Sequence, residues 1–191
     1  KYSWCKAPRI DGKPVQVGPV AQLLAGYAAG NQRVRTLVDS TCKAAGVGVA
    51  DLHSTMGRLA ARGIRAHLLS DLSLEYLDKL VDNVGKGDKA YANPTAIPSG
   101  EHRGVGFHEA PRGVLSHWMV IKDKKIKNYQ AVVPSTWNAS PRDAEGNAGP
   151  YEASLVGNPV ALPDQPLEVL RTVHSFDPCI ACAVHTIDPE G

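Results

Sequence analysis

Two thiols and an imidazole stand close together near the end of the chain, in Asp177-Pro178-Cys179-Ile180-Ala181-Cys182-Ala183-Val184-His185. Three soft or borderline ligands thus fall within little more than two helical turns, which is a compact claw for a transition metal. The C-x-x-C spacing alone leaves zinc ribbons, thioredoxin-type redox sites and iron–sulfur clusters open. A thioredoxin-type site should follow a strand and open a helix. Here Pro166 to His174 reads as a helix that runs into the Asp177-Pro178 break.

A second group with chemistry in it is Phe107-His108-Glu109-Ala110-Pro111-Arg112-Gly113. Arg112, fixed between a proline and a glycine, has little backbone freedom on one side, and its guanidinium keeps its proton at any relevant pH. It could hold charge near a metal. It could equally be a structural arginine paired with a carboxylate.

The elements that must position these groups change character along the chain. Residues 15–87 read as helical. Gly18-Pro19 opens a segment with Val20, Leu23, Leu24 and Tyr27 on one stripe and Gly30 as its stop. Asn31 can cap a second helix through Val34, Leu37 and Val38 to about Gly46. Val49, Leu52, Met56 and Leu59 continue at helical spacing, with Gly57 and Gly63 allowing close packing, and Leu72, Tyr76, Leu77, Leu80 and Val84 supply a further face; all are expected in the core. His53 and His67 are expected at the surface.

Residues 88–104 are polar and hold Pro94, Pro98 and several glycines, so a connecting loop is expected. Residues 105–134 carry the arginine loop and then a hairpin, with Val114 to Lys122 and Lys125 to Val133 alternating about an Asp123-Lys124 turn. Residues 135–150 read as a loop, and 151–185 as a C-terminal helix followed by the thiol motif. The fold class expected is α+β, mainly helical with one small β-hairpin, within one domain.

Composition narrows the function. A chain of 191 residues with 43% apolar content can bury a sizeable core. The 21 basic and 19 acidic residues give +2, with 13 basic against 8 acidic up to residue 100. No Lys/Arg block interleaved with aromatics appears, so nucleic acid is not an expected partner. Neither a signal peptide nor a run of roughly 18 to 20 apolar residues is read in the sequence, so any membrane link is expected through a partner. Cys5 and Cys42 show no disulfide spacing and are expected as buried or incidental thiols.

Several motifs then combine in one order: Lys1-Tyr2-Ser3-Trp4 to Ala7-Pro8-Arg9; His108 to Gly113; Tyr129-Gln130 and Val132-Val133-Pro134-Ser135-Thr136-Trp137-Asn138-Ala139-Ser140-Pro141-Arg142-Asp143; and His174-Ser175-Phe176-Asp177-Pro178-Cys179 to Cys182 and His185. Together they resemble the large, catalytic subunit of NiFe hydrogenases, in its C-terminal part and closest to the membrane-bound uptake branch.

The resemblance implies a role for each site residue. Cys179 would be a terminal nickel thiolate and Cys182 a thiolate bridging nickel and iron, the iron also carrying carbon monoxide and cyanide. Arg112 would stand over the open face of the metals as an acid–base group for heterolytic H2 cleavage, with Pro111 and Asp177 beside it and Asp177 orienting the guanidinium. Ser135 would hydrogen-bond a cyanide. His185 would ligate a buried magnesium, with the backbone carbonyl of Ala131 on the same ion. A maturation endopeptidase would cut after His185, making residues 186–191 a propeptide.

The family's second C-x-x-C, for the other two metal thiolates, does not occur here. An N-terminal remainder of the large subunit is therefore an expected partner, together with an iron–sulfur small subunit that takes the electrons. Membrane association through partners, on the periplasmic side, is the expected location. Two alternatives remain: a structural zinc module on Cys179, Cys182 and His185, and an H2-sensing regulatory hydrogenase.

Overall fold

The computed structural model of the chain describes residues 5–88 and 99–183. The expectations placed on Lys1-Tyr2-Ser3-Trp4, on Pro94 and Pro98, and on His185 and the segment 186–191 lie outside those residues.

Helices α1 (Pro19–Ala28), α2 (Gln32–Ala45) and α3 (Thr55–Gly85), with a short 3-10 turn at Val49–His53, form the helical layer. Their ends follow from local chemistry. Asn31 accepts the Val34 N–H at 3.1 Å and so caps α2, which stops at Gly46 in a left-handed conformation (φ 66°). Ser54 accepts the Gly57 N–H and caps α3. The core lies among these elements, built from Val20, Leu23, Val34, Val38, Cys42, Leu52, Ala61 and Ile64. Cys42 is thus a core thiol, and burial pushes its pKa up.

The apolar stripe of α3 departs from expectation in its first turns and again beyond position 68. Met56, Leu59, Tyr76, Leu77, Leu80 and Val84 are exposed, while Leu72 is half-buried. At about 1.5 Å per residue the 31 residues of α3 reach about 46 Å, roughly twice the length of α2, so its C-terminal half outruns the helices that could cover it. His53 and His67 are exposed as expected, His67 facing Asp71 at 3.6 Å.

Strands β1 (Glu101–Ala110), β2 (Gly113–Lys122) and β3 (Lys125–Val132) form an antiparallel sheet in the order β1-β2-β3. The expected pair is present, with Asp123 and Lys124 both at positive φ in its turn. The third strand corrects the sequence reading. Glu101, His102, Arg103 and Gly104 belong to β1 instead of a loop, and Ala110 pairs with Gly113, so Pro111-Arg112 is the two-residue tip between two strands. Glycines and charges hid β1 because this edge strand is exposed along nearly all its length and needs no apolar alternation.

The short helices α4 (Pro134–Asn138), α5 (Pro150–Leu155), α6 (Leu167–His174) and α7 (Ile180–Ala183) complete the described chain. Helix α6 falls where expected. Helix α4 replaces part of the loop expected over 135–150, with Pro134 at its first turn, where a missing N–H costs nothing. Among the described residues no helix is long and apolar enough to cross a membrane.

Candidate metal centre

The hairpin tip and the thiol motif meet. Arg112 Nε donates to the Asp177 carbonyl at 3.0 Å and lies 3.2 Å from its Oδ1. Both side chains are more than a third exposed, where such a pair adds about 0–1 kcal/mol, so the contact orients more than it stabilises. Asp177 is in a left-handed conformation (φ 57°), which aspartate tolerates better than most residues. That turn ends α6, lets Pro178 follow, and swings the chain into α7.

Cys179 and Cys182 follow this turn with their sulfurs 2.7 Å apart and both thiols free. The separation is well beyond the ~2.05 Å of a disulfide. Cys182 donates to Cys179. That hydrogen bond, with help from the nearby Arg112 charge, lowers the Cys179 pKa, and it raises that of Cys182. Cys179 therefore gives up its proton more readily than an isolated thiol, in the direction a thiolate ligand requires. Two converging sulfurs suit a soft or borderline metal ion. Among the described residues no further His, Cys, Asp or Glu gathers with them, so the donor set fits half of a four-coordinate shell.

Helix α4 holds the thiol turn by two hydrogen bonds. The Cys179 N–H donates to Ser135 Oγ at 3.0 Å, and Thr136 Oγ1 donates to the Cys182 carbonyl at 2.8 Å. The same helix reaches the hairpin indirectly. Asn138, only 2% exposed, accepts the Val17 N–H and donates to the Val17 carbonyl, each at 3.0 Å. Next to Val17, Gly18 (φ 119°) packs against the Arg112 backbone, and Gly113 (φ 134°) packs against Gly18 and Val17. A Cβ on Gly113 would come 2.7 Å from the Gly18 nitrogen, so the approach of the two segments requires hydrogen there.

Arg112, Asp177, Cys179, Cys182 and Ser135 are brought together, with Pro111 next to Arg112 in the tip. Ala131 stands in β3 opposite His117. Its expected magnesium partner, His185, is outside the described residues. Arg9 is used elsewhere, donating to the carbonyls of Pro141 and Arg142. Thr136 and Asn138 went unassigned in the sequence. Their signal was Pro134 itself, which can start a helix as readily as it can mark a loop.

Residues 1–185 match the family described as nickel-dependent hydrogenase. The chain is 52% identical to the Hydrogenase-2 large chain of Escherichia coli K12 and 49% identical to the quinone-reactive Ni/Fe-hydrogenase large chain of Wolinella succinogenes. Both alignments take in all of this chain, which spans 35% and 33% of those relatives. The solved structure of the H2-activated NiFeSe hydrogenase of Dm. baculatum aligns with 96% of this chain and 37% of its own, at a TM-score of 0.73 and 38% identity. The match over residues 1–185, on a backbone shared with these proteins, places this chain in the nickel-dependent hydrogenase family.

Proposed function

We propose that the chain is the C-terminal part of the catalytic subunit of a NiFe hydrogenase that oxidises H2 to protons and electrons. The observation that carries this reading is the joining of Arg112 to Asp177, two residues from Cys179, whose sulfur converges with that of Cys182. When bound, a nickel–iron centre with carbon monoxide and cyanide on its iron supplies the Lewis acidity that polarises H2 and the route for its electrons. Cys179 and Cys182 would hold it from this chain.

The chain's own residues then have distinct tasks. Asp177 engages Nε of Arg112, and among the described residues Nη1 and Nη2 have no partner, which leaves them for moving a proton beside the thiols. Pro111 fixes the turn from which Arg112 projects. Ser135 accepts the Cys179 N–H, and its hydroxyl, shared with Tyr151, would hydrogen-bond a cyanide. His185 and the Ala131 carbonyl would hold magnesium. The family match ends at residue 185, which supports reading 186–191 as the segment an endopeptidase removes.

The remaining metal ligands would come from the N-terminal remainder, and electrons would leave through an iron–sulfur small subunit. Membrane attachment on the periplasmic side would come through partners, in keeping with a relative named quinone-reactive. The test is to purify the full-length large subunit with its small subunit without oxygen, then measure metals, H2 oxidation and the infrared bands of iron-bound diatomics. Nickel with iron, those bands and H2-dependent acceptor reduction are expected. Zinc alone, with no H2 oxidation, would return the thiols to a structural module.

A further inference from the structure

We propose that Arg62 and Arg65, with Arg58 beside them, are positioning residues that set the Arg112–Asp177 pair from one rigid helix. The inference rests on the hydrogenase reading. Positions 58, 62 and 65 are spaced by four and three residues, so on α3 they share one face over about 10 Å. Arg58 and Arg65 are 6% and 8% exposed, unusual for a charged residue. Neither the thiol pair nor the Arg112–Asp177 contact by itself calls for three guanidinium groups there.

Each of them grips a segment leading into the site. Arg62 donates through both terminal nitrogens to the Ser175 carbonyl, at 3.2 and 3.3 Å. Ser175 is the C-cap of α6, where carbonyls lack helical partners and the helix dipole favours a cation. Two residues later comes Asp177. Arg58 stacks on the buried Phe176 ring, Cζ 3.9 Å from its centroid, and donates to Ser175 Oγ at 3.4 Å. Arg65 reaches the other arm, donating to the Glu109 carbonyl on the edge strand β1 at 3.3 Å, three residues before Arg112.

One helix therefore fixes both partners of a contact whose own strength is small. Burying these cations is expensive: desolvation lowers the Arg58 pKa to about 10, still leaving it charged at neutral pH. Apolar side chains would pack such a face without that cost. What arginines add is a directional hold on two backbone carbonyls, and the geometry of the hairpin tip against the α6 turn depends on that hold.

The test uses the full-length complex with its small subunit. Arg62→Met and Arg65→Met are made alone and in an Arg112→Lys background. Each alone should lower H2 oxidation by about ten- to a hundredfold with nickel and iron retained, the loss typical of a sub-ångström to 1 Å misplacement. In the Arg112→Lys background the further loss should shrink below about twofold, because residues acting through one contact are not additive. Equal losses in both backgrounds, or a wild-type rate, would overturn the proposal.

A crystal structure of the Arg62→Met complex gives a reading independent of activity: the separation of Arg112 Nε from the Asp177 carbonyl, 3.0 Å here, should exceed hydrogen-bonding distance. An unchanged separation would overturn the proposal. Should the methionine variants fail to assemble, Arg62→Lys and Arg65→Lys pass through the same cycle and crystallography, with smaller but still non-additive losses expected and additive ones decisive against. If the hydrogenase reading itself fails, the unmutated complex will not oxidise H2, while the crystallographic result still judges the positioning role.

Discussion

Arg112 and Asp177, 65 residues apart, meet through a single nitrogen: Nε serves both the carbonyl and the carboxylate of Asp177. A lysine could reach one of these oxygens with its ammonium, but it would then have no second nitrogen in a fixed plane to present elsewhere. Arg112→Lys in the full-length complex is therefore expected to keep its nickel and iron and to lower H2 oxidation by roughly two to four orders of magnitude. Metal content and rate are measured on the same sample. Full metals with a near wild-type rate would make Arg112 purely structural.

The thiols differ from each other in environment and from Cys42 in role. Cys179→Ser and Cys182→Ser each replace a sulfur of the convergent pair with a hydroxyl that does not ionise near neutral pH, so loss of nickel and of H2 oxidation is expected in both. Cys42 is 5% exposed among Val34, Val38 and Leu52. Cys42→Ala should keep the metals and lower stability by about 1 kcal/mol, as small core truncations do. Metal analysis alongside thermal unfolding separates the cases, and nickel retained in Cys179→Ser would remove it from the ligand set.

Tyr151 gives a prediction in pH. Its ring meets Phe176 edge-on, with centroids 5.0 Å apart, and burial pushes its pKa from the ordinary 10.0 up to about 12, against the opposing hydrogen bond with Ser135. A raised pKa means the folded state holds the proton longer than the unfolded chain does. The stabilisation is complete below pH 10 and is lost as pH rises through about 12. Tyr151→Phe should thus flatten the fall in stability over that window. Identical slopes for the two proteins would show that the phenol ionises freely.

How far all this could be read in the sequence varied with what each residue depends on. Asn31 acts through its side-chain oxygen on the next turn, Gly46 and Pro19 through their own backbone, and α1 begins and α2 begins and ends where those residues indicate. Cys179, Cys182 and Arg112 were legible because their types are unusual and their spacing is tight. Strand β1 was hidden: an exposed edge strand carrying Gly104 and Gly106 lacks the alternation that betrays a buried one. The exposed half of α3 misled in the opposite direction, since an apolar stripe says that something covers it without saying that this stretch of chain does. The buried arginines were out of reach for a similar reason. The partners of Arg62 and Arg65 are backbone carbonyls 113 and 44 residues away, and a carbonyl has no letter in the sequence.

Gly113 meets Gly18 backbone on backbone, and that contact gives a sharp steric prediction. At Gly113 a methyl group would sit 2.7 Å from the Gly18 nitrogen and 2.8 Å from Val17 Cγ2, with φ at 134°, where L residues rarely go. The Gly18 nitrogen cannot yield by a rotamer change, and Val17 is tied to Asn138 by two hydrogen bonds. Gly113→Ala must therefore push the hairpin tip away from the start of α1, and Arg112 moves with it. A strained backbone of this kind costs about 1–3 kcal/mol. Gly104→Ala is the control, in the same hairpin with open space around its Cβ and no positive φ. In the full-length complex, Gly113→Ala should lower both the unfolding temperature and H2 oxidation, while Gly104→Ala should leave both near wild type. A Gly113→Ala protein with unchanged rate and unfolding temperature would mean that Arg112 does not depend on this packing.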